Sequence, residues 1–433
     1  MVKRVLLLKL ILLSLLSVGC HREIPVIAGK ASYQTEGVSI INHGNYFHVE
    51  LDYRTGLTRR EMGEAMAKGI LEVVPDYEIL VDSYIAENIS KHEYKYAFFR
   101  LEDIKTQLPP EYLEEIIGAA SVFSGSNQSI WNDQRISRDE FLLYNLFTDV
   151  LRGTQCSYIS VYGARSATKK TITARSLEWY GGSKNQLPRI QAIITIVYPE
   201  RKLFSIGYLG YMGILTGFND RKIFAGILDA GTNGPYTSEG RRSYTLDLRY
   251  ALENFQTMDQ AVEYMMDIRN LYAFNHVIGF SDPNTSVILE NNFSGSGSDD
   301  QKVKRAVRNS GSKLNKNITW GISDAVAAVN SFILYGNHDN HTPNKYNTKR
   351  WEKLKTQLLS KGPRVTASQL KEVISYHQGS PGVFSESGDI YNKMTLQMVI
   401  FEPDSFSLEI FFRPKNNRRN PVHPVFETIK VFH

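Results

Sequence analysis

The pattern of apolar and polar positions divides the chain into a helical stretch followed by a β-rich one. In "TRREMGEAMAKGILEVV" apolar residues recur at helical spacing after Thr58, a residue suited to an N-cap. "LPPEYLEEIIGAASVF" places Pro110 near a first helical turn. "SRDEFLLYNLFTDVL" opens on Ser137 with Glu140 three residues later, the pattern of a capping box. Residues 57–152 are therefore predicted to be mainly helical, and alternation within 21–55 predicts a strand or hairpin.

Short β-branched and aromatic runs dominate after residue 155. "CSYISVYG", "KTITARSLEW", "IQAIITIVYP" and "KIFAGILDAG" predict strands separated by turns. "TMDQAVEYMMDIRN", which begins at Thr257, and "NTKRWEKLKTQLLSKG" predict helices, and "HVIGFSDPNTSVILEN" and "YNKMTLQMVIFEPDSFSLEIFFRP" predict hairpins. This order favours an α+β fold in which two antiparallel sheets pack between helical layers.

Composition adds few constraints beyond globularity. The chain has 433 residues, of which 42% are hydrophobic, and a net charge of +5. Lys3, Arg4 and Lys9 supply three of those charges, so the rest of the chain is close to neutral. With no basic block along the chain, a nucleic-acid partner is not expected.

The first twenty residues, "MVKRVLLLKLILLSLLSVGC", read as an export signal. A basic start precedes an apolar run that is short for a membrane span. The run ends in "SVGC", which resembles a bacterial lipobox and makes Cys20 the expected lipidated first residue of the mature protein. We therefore expect an exported lipoprotein anchored in a bacterial cell envelope. The alternative is a plain signal peptide with an incidental cysteine.

The second of the two cysteines, Cys156, is then a lone thiol without a disulfide partner. A lone cysteine in a strand is often a small core residue. A catalytic cysteine has two routes to a base. It can borrow a histidine, or it can become the first residue of a new chain, whose α-amine has an ordinary pKa near 7.7–8.

The sequence around Cys156 resembles a known family. "CSYISVYG" followed by "TARSLEW" is similar to the nucleophile segment of the N-terminal nucleophile (Ntn) cysteine hydrolases of the acid ceramidase, penicillin acyltransferase and choloylglycine hydrolase group. Blocks in the same order extend the resemblance: "RDEFLLYNLFTDVLRGTQC", "GYLGYMGILTGFNDRKIFAGILDAG", "AFNHVIGFSDPNTSVILEN" and "GNHDNHTPNKYNTKRWEKL".

The resemblance implies a fold and a maturation step. It implies a four-layer αββα sandwich over residues 156–433, preceded by a helical pro-segment over 21–155. Cleavage before Cys156 would free its α-amine, and the two resulting chains would remain associated.

Three residues match the nucleophile segment of the family. Cys156 matches the nucleophile, and Arg175 matches an arginine that orients the thiol and lowers its pKa. Glu178 stands where the family has an aspartate that contacts the α-amine, and it is one methylene longer. Without that context, Arg175 and Glu178 read as a surface ion pair.

Three later residues match the rest of the family site. Asp229 matches the position whose main-chain N–H faces the developing oxyanion, and Asn337 matches the asparagine whose amide completes that hole. Asn309 is an alternative to Asn337, which also reads as a turn residue. Arg350 matches a late arginine that braces the site.

The function implied by the resemblance is hydrolysis of the linear amide of an N-acyl amine, possibly lipid-like, through a thioester on Cys156. An acyltransferase using the same acyl-enzyme and a lipid-anchored, non-catalytic binding protein are the alternatives. No cofactor is implied. His338 and His341 have no further ligand at suitable spacing, so no metal is expected.

Overall fold

The computed structural model describes residues 27–125, 128–151, 154–231, 237–292, 304–337, 344–379, 388–417 and 419–432. The predicted export signal with Cys20, and His338 and His341, lie outside these ranges. Within them, no helix combines the length and the apolar character that crossing a bilayer requires.

The elements follow the order that the sequence pattern predicts. The α-helices of the described residues are α1 (Arg59–Val73), α2 (Tyr77–Asn88), α3 (Lys91–Lys105), α4 (Pro110–Ala120), α5 (Arg138–Asn145), α6 (Phe147–Val150), α7 (Gln186–Arg189), α8 (Tyr244–Asn254), α9 (Met258–Met266), α10 (Lys345–Ser360) and α11 (Ala367–Ile374). The strands are β1 (Ser32–Thr35), β2 (Val38–Asn42), β3 (Phe47–Asp52), β4 (Thr154–Val161), β5 (Ile172–Trp179), β6 (Gln191–Val197), β7 (Lys202–Tyr208), β8 (Thr216–Asn219), β9 (Phe224–Asp229), β10 (His276–Ser281), β11 (Ser286–Asn292), β12 (Lys304–Arg308), β13 (Ala325–Ala328), β14 (Thr395–Glu402), β15 (Ser407–Phe412) and β16 (Glu427–Ile429).

The strands form two sheets. The larger sheet has the order β1-β2-β3-β6-β7-β8-β9-β10-β11-β12, and the smaller one has the order β13-β4-β5-β14-β15-β16. Neighbours are antiparallel except β3 and β6, which are parallel with Phe47 opposite Ala192. The strand that carries Cys156, β4, therefore lies inside the smaller sheet between β13 and β5.

The two sheets face each other and carry helices on their outer sides. Strands β4 and β9 contact each other across the interior, as do β11 and β13. Helices α1, α8 and α9 pack on the larger sheet, and α10 and α11 pack on the smaller one. The order of layers is helix, sheet, sheet, helix, which confirms the predicted αββα sandwich.

The segment that precedes Cys156 is integrated into this sandwich. It is helical from α1 to α6 as expected, and its hairpin β1–β2 continues into β3, which extends the larger sheet through β6. The apolar faces of these elements belong to the same core as the inter-sheet residues. Because burial of shared apolar surface drives association, the cleavage predicted before Cys156 would leave a large interface intact.

Candidate active site

The Cys156 side chain is fully buried between the two sheets. Strand β4 runs without interruption through Gln155 and Cys156, with Cys156 opposite Leu177 of β5. The Arg175 guanidinium donates from Nη2 to the Cys156 Sγ at 3.2 Å and to the Ile227 carbonyl at 2.6 Å. The sequence prediction that Arg175 lies beside the thiol thus matches the geometry.

Two opposing influences act on the thiol. Burial raises the pKa of Cys156 above its ordinary value, and the positive charge of Arg175 acts in the opposite direction. Burial also lowers the pKa of the Arg175 guanidinium. In the uncleaved chain the thiol is therefore held in a form that is mainly protonated, beside the cation that would stabilise its thiolate.

A glycine makes room for this arginine. Gly226 of β9 faces Arg175, and a Cβ at that position would lie 3.1 Å from the Arg175 Cγ. With a larger residue there, the Arg175 side chain would have to shift by a few tenths of an ångström. The sequence "FAGILDAG" therefore contributes to the site a small residue as well as Asp229.

The main-chain atoms of Cys156 are held by two other buried side chains. The Cys156 N–H donates to the Asn330 Oδ1 at 2.8 Å, and the Arg350 Nη1 donates to the Cys156 carbonyl at 2.9 Å. Pairing of β13 with β4 ends at Ala328 opposite Tyr158. Beyond this point the side chain of Asn330, instead of a strand backbone, accepts the hydrogen bond from the Cys156 N–H. Asn330 also donates from Nδ2 to the Asp229 carbonyl at 2.6 Å, which brings Asp229 to the site.

Arg350, on α10, links these groups to Glu178. Its Nη1 donates to the Glu178 Oε1 at 3.2 Å, and its Nη2 donates to the Asn330 Oδ1 at 2.8 Å. Glu178 also accepts from Asn392 Nδ2 at 2.8 Å. Both charged side chains are almost completely buried, so Arg350 and Glu178 form a core ion pair rather than a surface one.

The contacts of Glu178 bear on its predicted role. In the uncleaved chain, Gln155 lies opposite Glu178 in the β4–β5 ladder. The carboxylate reaches Cys156 through Arg350, which bridges it to the Cys156 carbonyl. A direct contact with the α-amine, which the family resemblance implies, stays a prediction for the cleaved chain.

The structure shows which groups Asn337, the predicted oxyanion asparagine, contacts. The Asn337 Nδ2 donates to the Glu290 carboxylate at 3.0 Å, and its Oδ1 accepts from Asn292 at 3.1 Å. Glu290 in turn is paired with Arg308 at 2.8 Å. Asn337 thus belongs to a separate polar cluster beside β11 and β12, because the turn that carries it packs against Glu290.

The alternative asparagine is also elsewhere. Asn309 is exposed, and its Oδ1 accepts from the N–H of Gly311, which is typical of a turn residue. Asn330, by contrast, contacts Cys156 through the Cys156 main-chain N–H. The sequence reasoning passed over it, although "AVAAVNS" places a polar residue directly after a strand of small and apolar residues, a signal that could have identified it.

Of the residues predicted for the site, Cys156, Arg175, Glu178, Asp229 and Arg350 are brought together, and Asn337 is not. Asn347 and Asn392 join them: the Asn347 Oδ1 accepts from Arg350 Nη2 at 2.8 Å. In the described ranges, no group of three or more histidine, cysteine or acidic side chains is placed to hold a metal ion.

Comparisons with known proteins give matches among solved structures. No family model and no curated protein matches the sequence. Among solved structures, the N-acylethanolamine-hydrolyzing acid amidase ortholog of Caenorhabditis elegans overlaps with 16% identity and a TM-score of 0.41, covering 57% of this chain and 93% of its own.

Two bacterial structures overlap to a similar degree. Penicillin V acylase from Agrobacterium tumefaciens shares 12% identity with a TM-score of 0.36, covering 59% of this chain and 83% of its own. A variant of conjugated bile acid hydrolase from Clostridium perfringens shares 11% identity with a TM-score of 0.35, covering 64% and 97%. The identities and TM-scores are low, so these structures do not establish the reaction of this chain.

Proposed function

We propose that the chain cleaves itself before Cys156 and then hydrolyses the linear amide bond of an N-acyl amine through a thioester on Cys156. One observation carries the proposal. Each reactive part of Cys156 is held by a different buried polar side chain: the thiol by Arg175, the main-chain nitrogen by Asn330 and the carbonyl by Arg350. A cysteine that only filled the core would need none of these contacts.

The first reaction frees the α-amine. The Cys156 sulfur attacks the carbonyl carbon of Gln155, the C–N bond breaks, and the proton of the thiol passes to the departing nitrogen. Water then hydrolyses the resulting thioester, which leaves Gln155 as a carboxylate and Cys156 as a new N-terminus. The nitrogen released in this step is the atom that already contacts Asn330.

The second reaction uses the new amine as a general base. The amine takes the proton of the thiol, and the thiolate attacks the carbonyl carbon of the substrate amide. A side-chain N–H of Asn330 and the main-chain N–H of Asp229 stabilise the oxyanion. The C–N bond breaks as the leaving amine receives the proton, and water, activated by the same α-amine, releases the acid from the thioester.

The proposed setting follows from the sequence. The exported chain would be anchored to the envelope membrane through a lipid on Cys20, with the two cleaved chains associated and a small N-acyl amide as substrate. Labelling growing cells with a clickable fatty acid should tag the protein, and Cys20→Ala should abolish the tag. Persistence of the label in that variant would exclude the anchor.

The test of the proposed reaction combines mass spectrometry with an amide screen. Purified protein should contain two chains that meet between residues 155 and 156, and it should release amine from members of an N-acyl amide panel. Cys156→Ala should remain uncut and inactive, whereas Cys156→Ser should cut slowly because a hydroxyl is less acidic than a thiol. An uncut, inactive parent chain that binds the amides would favour the binding protein, and acyl transfer to an added amine would favour the acyltransferase.

A further inference from the structure

Tyr208 lies at the end of β7 and faces the smaller sheet. Side chains alternate along a strand, so Tyr208 shares a face with Phe204. The Phe204 ring stacks on Phe218 with centroids 4.7 Å apart, and Phe218 stacks on Phe401 of the smaller sheet at 4.1 Å. The Tyr208 ring itself contacts Trp179 of β5, with centroids 6.3 Å apart.

Trp179 places this tyrosine at the nucleophile. Along β5, Arg175 and Trp179 point to the same side, and Trp179 lies opposite Thr154, two residues before Cys156 in the neighbouring strand. Besides burial, Arg175 and Cys156 both act on the pKa of the Tyr208 hydroxyl: Arg175 lowers it and Cys156 raises it. Tyr208, Arg175 and Cys156 therefore share one buried layer between the sheets.

Several hydrogen-bond donors of this layer have no acceptor within the described part of the chain. The Tyr208 hydroxyl is buried and makes no hydrogen bond within the described part of the chain, and the same is true of Nε and Nη1 of Arg175. A buried polar group without a hydrogen bond lowers stability, so folded proteins keep few of them. Three donor groups beside one thiol are thus unpaired, and each could donate to an acceptor atom of a molecule bound next to Cys156.

We propose that Tyr208 is a further catalytic residue, whose hydroxyl donates a hydrogen bond to the carbonyl oxygen of the substrate amide. This inference rests on the proposed function. The carbonyl oxygen is bonded to the carbon that the sulfur attacks, so it enters this layer with the reacting atoms. The amide nitrogen is a poor acceptor, because its lone pair is delocalised into the carbonyl.

The protonation of Tyr208 suits a donor. Burial raises the pKa of its hydroxyl well above the ordinary value, so the group stays neutral and keeps its proton at working pH. As the carbonyl oxygen gains negative charge in the transition state, a neutral donor fixed in a buried site stabilises it more than it stabilises the ground state.

The test removes only the hydroxyl, and the chain offers a matched control. Tyr53 also has a buried hydroxyl without a hydrogen bond in the described residues, but its ring stacks on Tyr198 and lies under Arg59. In processed protein, Tyr208→Phe should lower kcat/KM for N-acyl amides about 100-fold, and Tyr53→Phe should leave it unchanged. Both variants should unfold at or above the parent temperature, since neither loses a hydrogen bond.

Alkylation of Cys156 by iodoacetamide separates catalysis from a structural effect, because that displacement forms no oxyanion. Its rate should be the same in Tyr208→Phe and in the parent. A kcat/KM within twofold of the parent, or an alkylation rate that falls as much as kcat/KM, would overturn the role of Tyr208. A processed parent that hydrolyses none of the amides would instead show that the proposed function is wrong, and this inference would fall with it.

Discussion

Asn330 accepts the main-chain N–H of Cys156 at 2.8 Å across 174 residues of sequence. The same oxygen accepts from Arg350 at 2.8 Å, which fixes the orientation of the amide. The nitrogen that would become the α-amine is therefore held by a braced side chain before any cleavage. Maturation on this account needs a broken peptide bond and little rearrangement of the groups around it.

Asn330→Ala should reduce kcat for amide hydrolysis about 100- to 1000-fold, because it removes a proposed oxyanion donor. Asn337→Ala is the control. The Asn337 amide donates a hydrogen bond to the Glu290 carboxylate. Asn337→Ala should therefore lower the unfolding temperature, while kcat/KM changes only a few-fold. Steady-state kinetics and thermal unfolding of both variants check this. The reverse order of effects on kcat would restore Asn337 as the oxyanion residue.

The contrast between Asn330 and Asn337 shows what the sequence could not predict about the site. Both follow apolar or turn-like stretches, and the family resemblance pointed to the block containing Asn337. Only the pairing of β13 with β4 brings Asn330 to Cys156, and such a long-range register is not encoded in a local pattern. The sequence could identify Cys156, Arg175 and Glu178 as site residues, because they lie in two adjacent strands of one local motif.

Glu178→Asp should reduce activity, because the shorter side chain draws the carboxylate away from Arg350 and Asn392. Glu178→Gln should in addition lower the free energy of unfolding by about 3–5 kcal/mol, since it leaves the buried Arg350 without its counterion. Asn392→Ala, which removes one 2.8 Å hydrogen bond and leaves the ion pair, is the milder control. The measurements are the fraction cleaved, kcat/KM and urea unfolding.

Parent-like cleavage and kcat/KM in both Glu178 variants would exclude Glu178 from the catalytic machinery. The loss in Glu178→Asp tests whether the longer side chain is matched to this backbone. A gain in turnover would show that the aspartate geometry of the family is the better one.

Arg249 joins the two sides of the proposed cleavage point. On α8, it donates to Glu115 of α4 at 2.8 Å and to Glu253 at 2.8 Å, and all three side chains are almost fully buried. Arg249→Met should leave two buried carboxylates undercompensated and cost about 3–5 kcal/mol. The cleaved chains of this variant should separate on size-exclusion chromatography at a lower urea concentration than those of the parent.

Arg60→Met provides the matched control, because its pair with Glu114 is half exposed and is expected to contribute about 1 kcal/mol or less. Equal urea concentrations for chain separation in the two variants would contradict a role of the Arg249 cluster in holding the chains together.

The sequence predicts local elements well, and long-range strand pairing less well. The N-caps predicted at Thr58 and Thr257 and the capping box predicted at Ser137 are present in the structure, since local hydrogen bonds determine them. The strand or hairpin predicted within 21–55 exists, but its parallel docking of β3 on β6 depends on residues about 145 positions apart. The local sequence pattern therefore could not predict that the segment before Cys156 adds strands to the larger sheet.

Asp149 should make stability depend on pH. It is fully buried on α6, accepts from Ser243 and from the Tyr244 N–H, and burial raises its pKa to about 8. Because the folded pKa lies above the unfolded value, its contribution is complete at pH below about 4 and is lost as pH rises through about 8. In Asp149→Asn, the unfolding temperature should fall less between pH 6 and 9 than in the parent.

Asp247, which lies nearby and is also buried, is retained in both proteins, so the difference between the two curves isolates Asp149. Parallel curves over this range would contradict the raised pKa of Asp149.

We propose that Cys156 becomes an N-terminal nucleophile that carries the acyl group, and intact-mass spectrometry of the protein, quenched in acid during turnover of an N-acyl amide, tests this. We expect a chain that begins at Cys156 and is heavier by the acyl group, with the adduct located on that residue. An adduct on another residue, or turnover by an uncut chain, would contradict it.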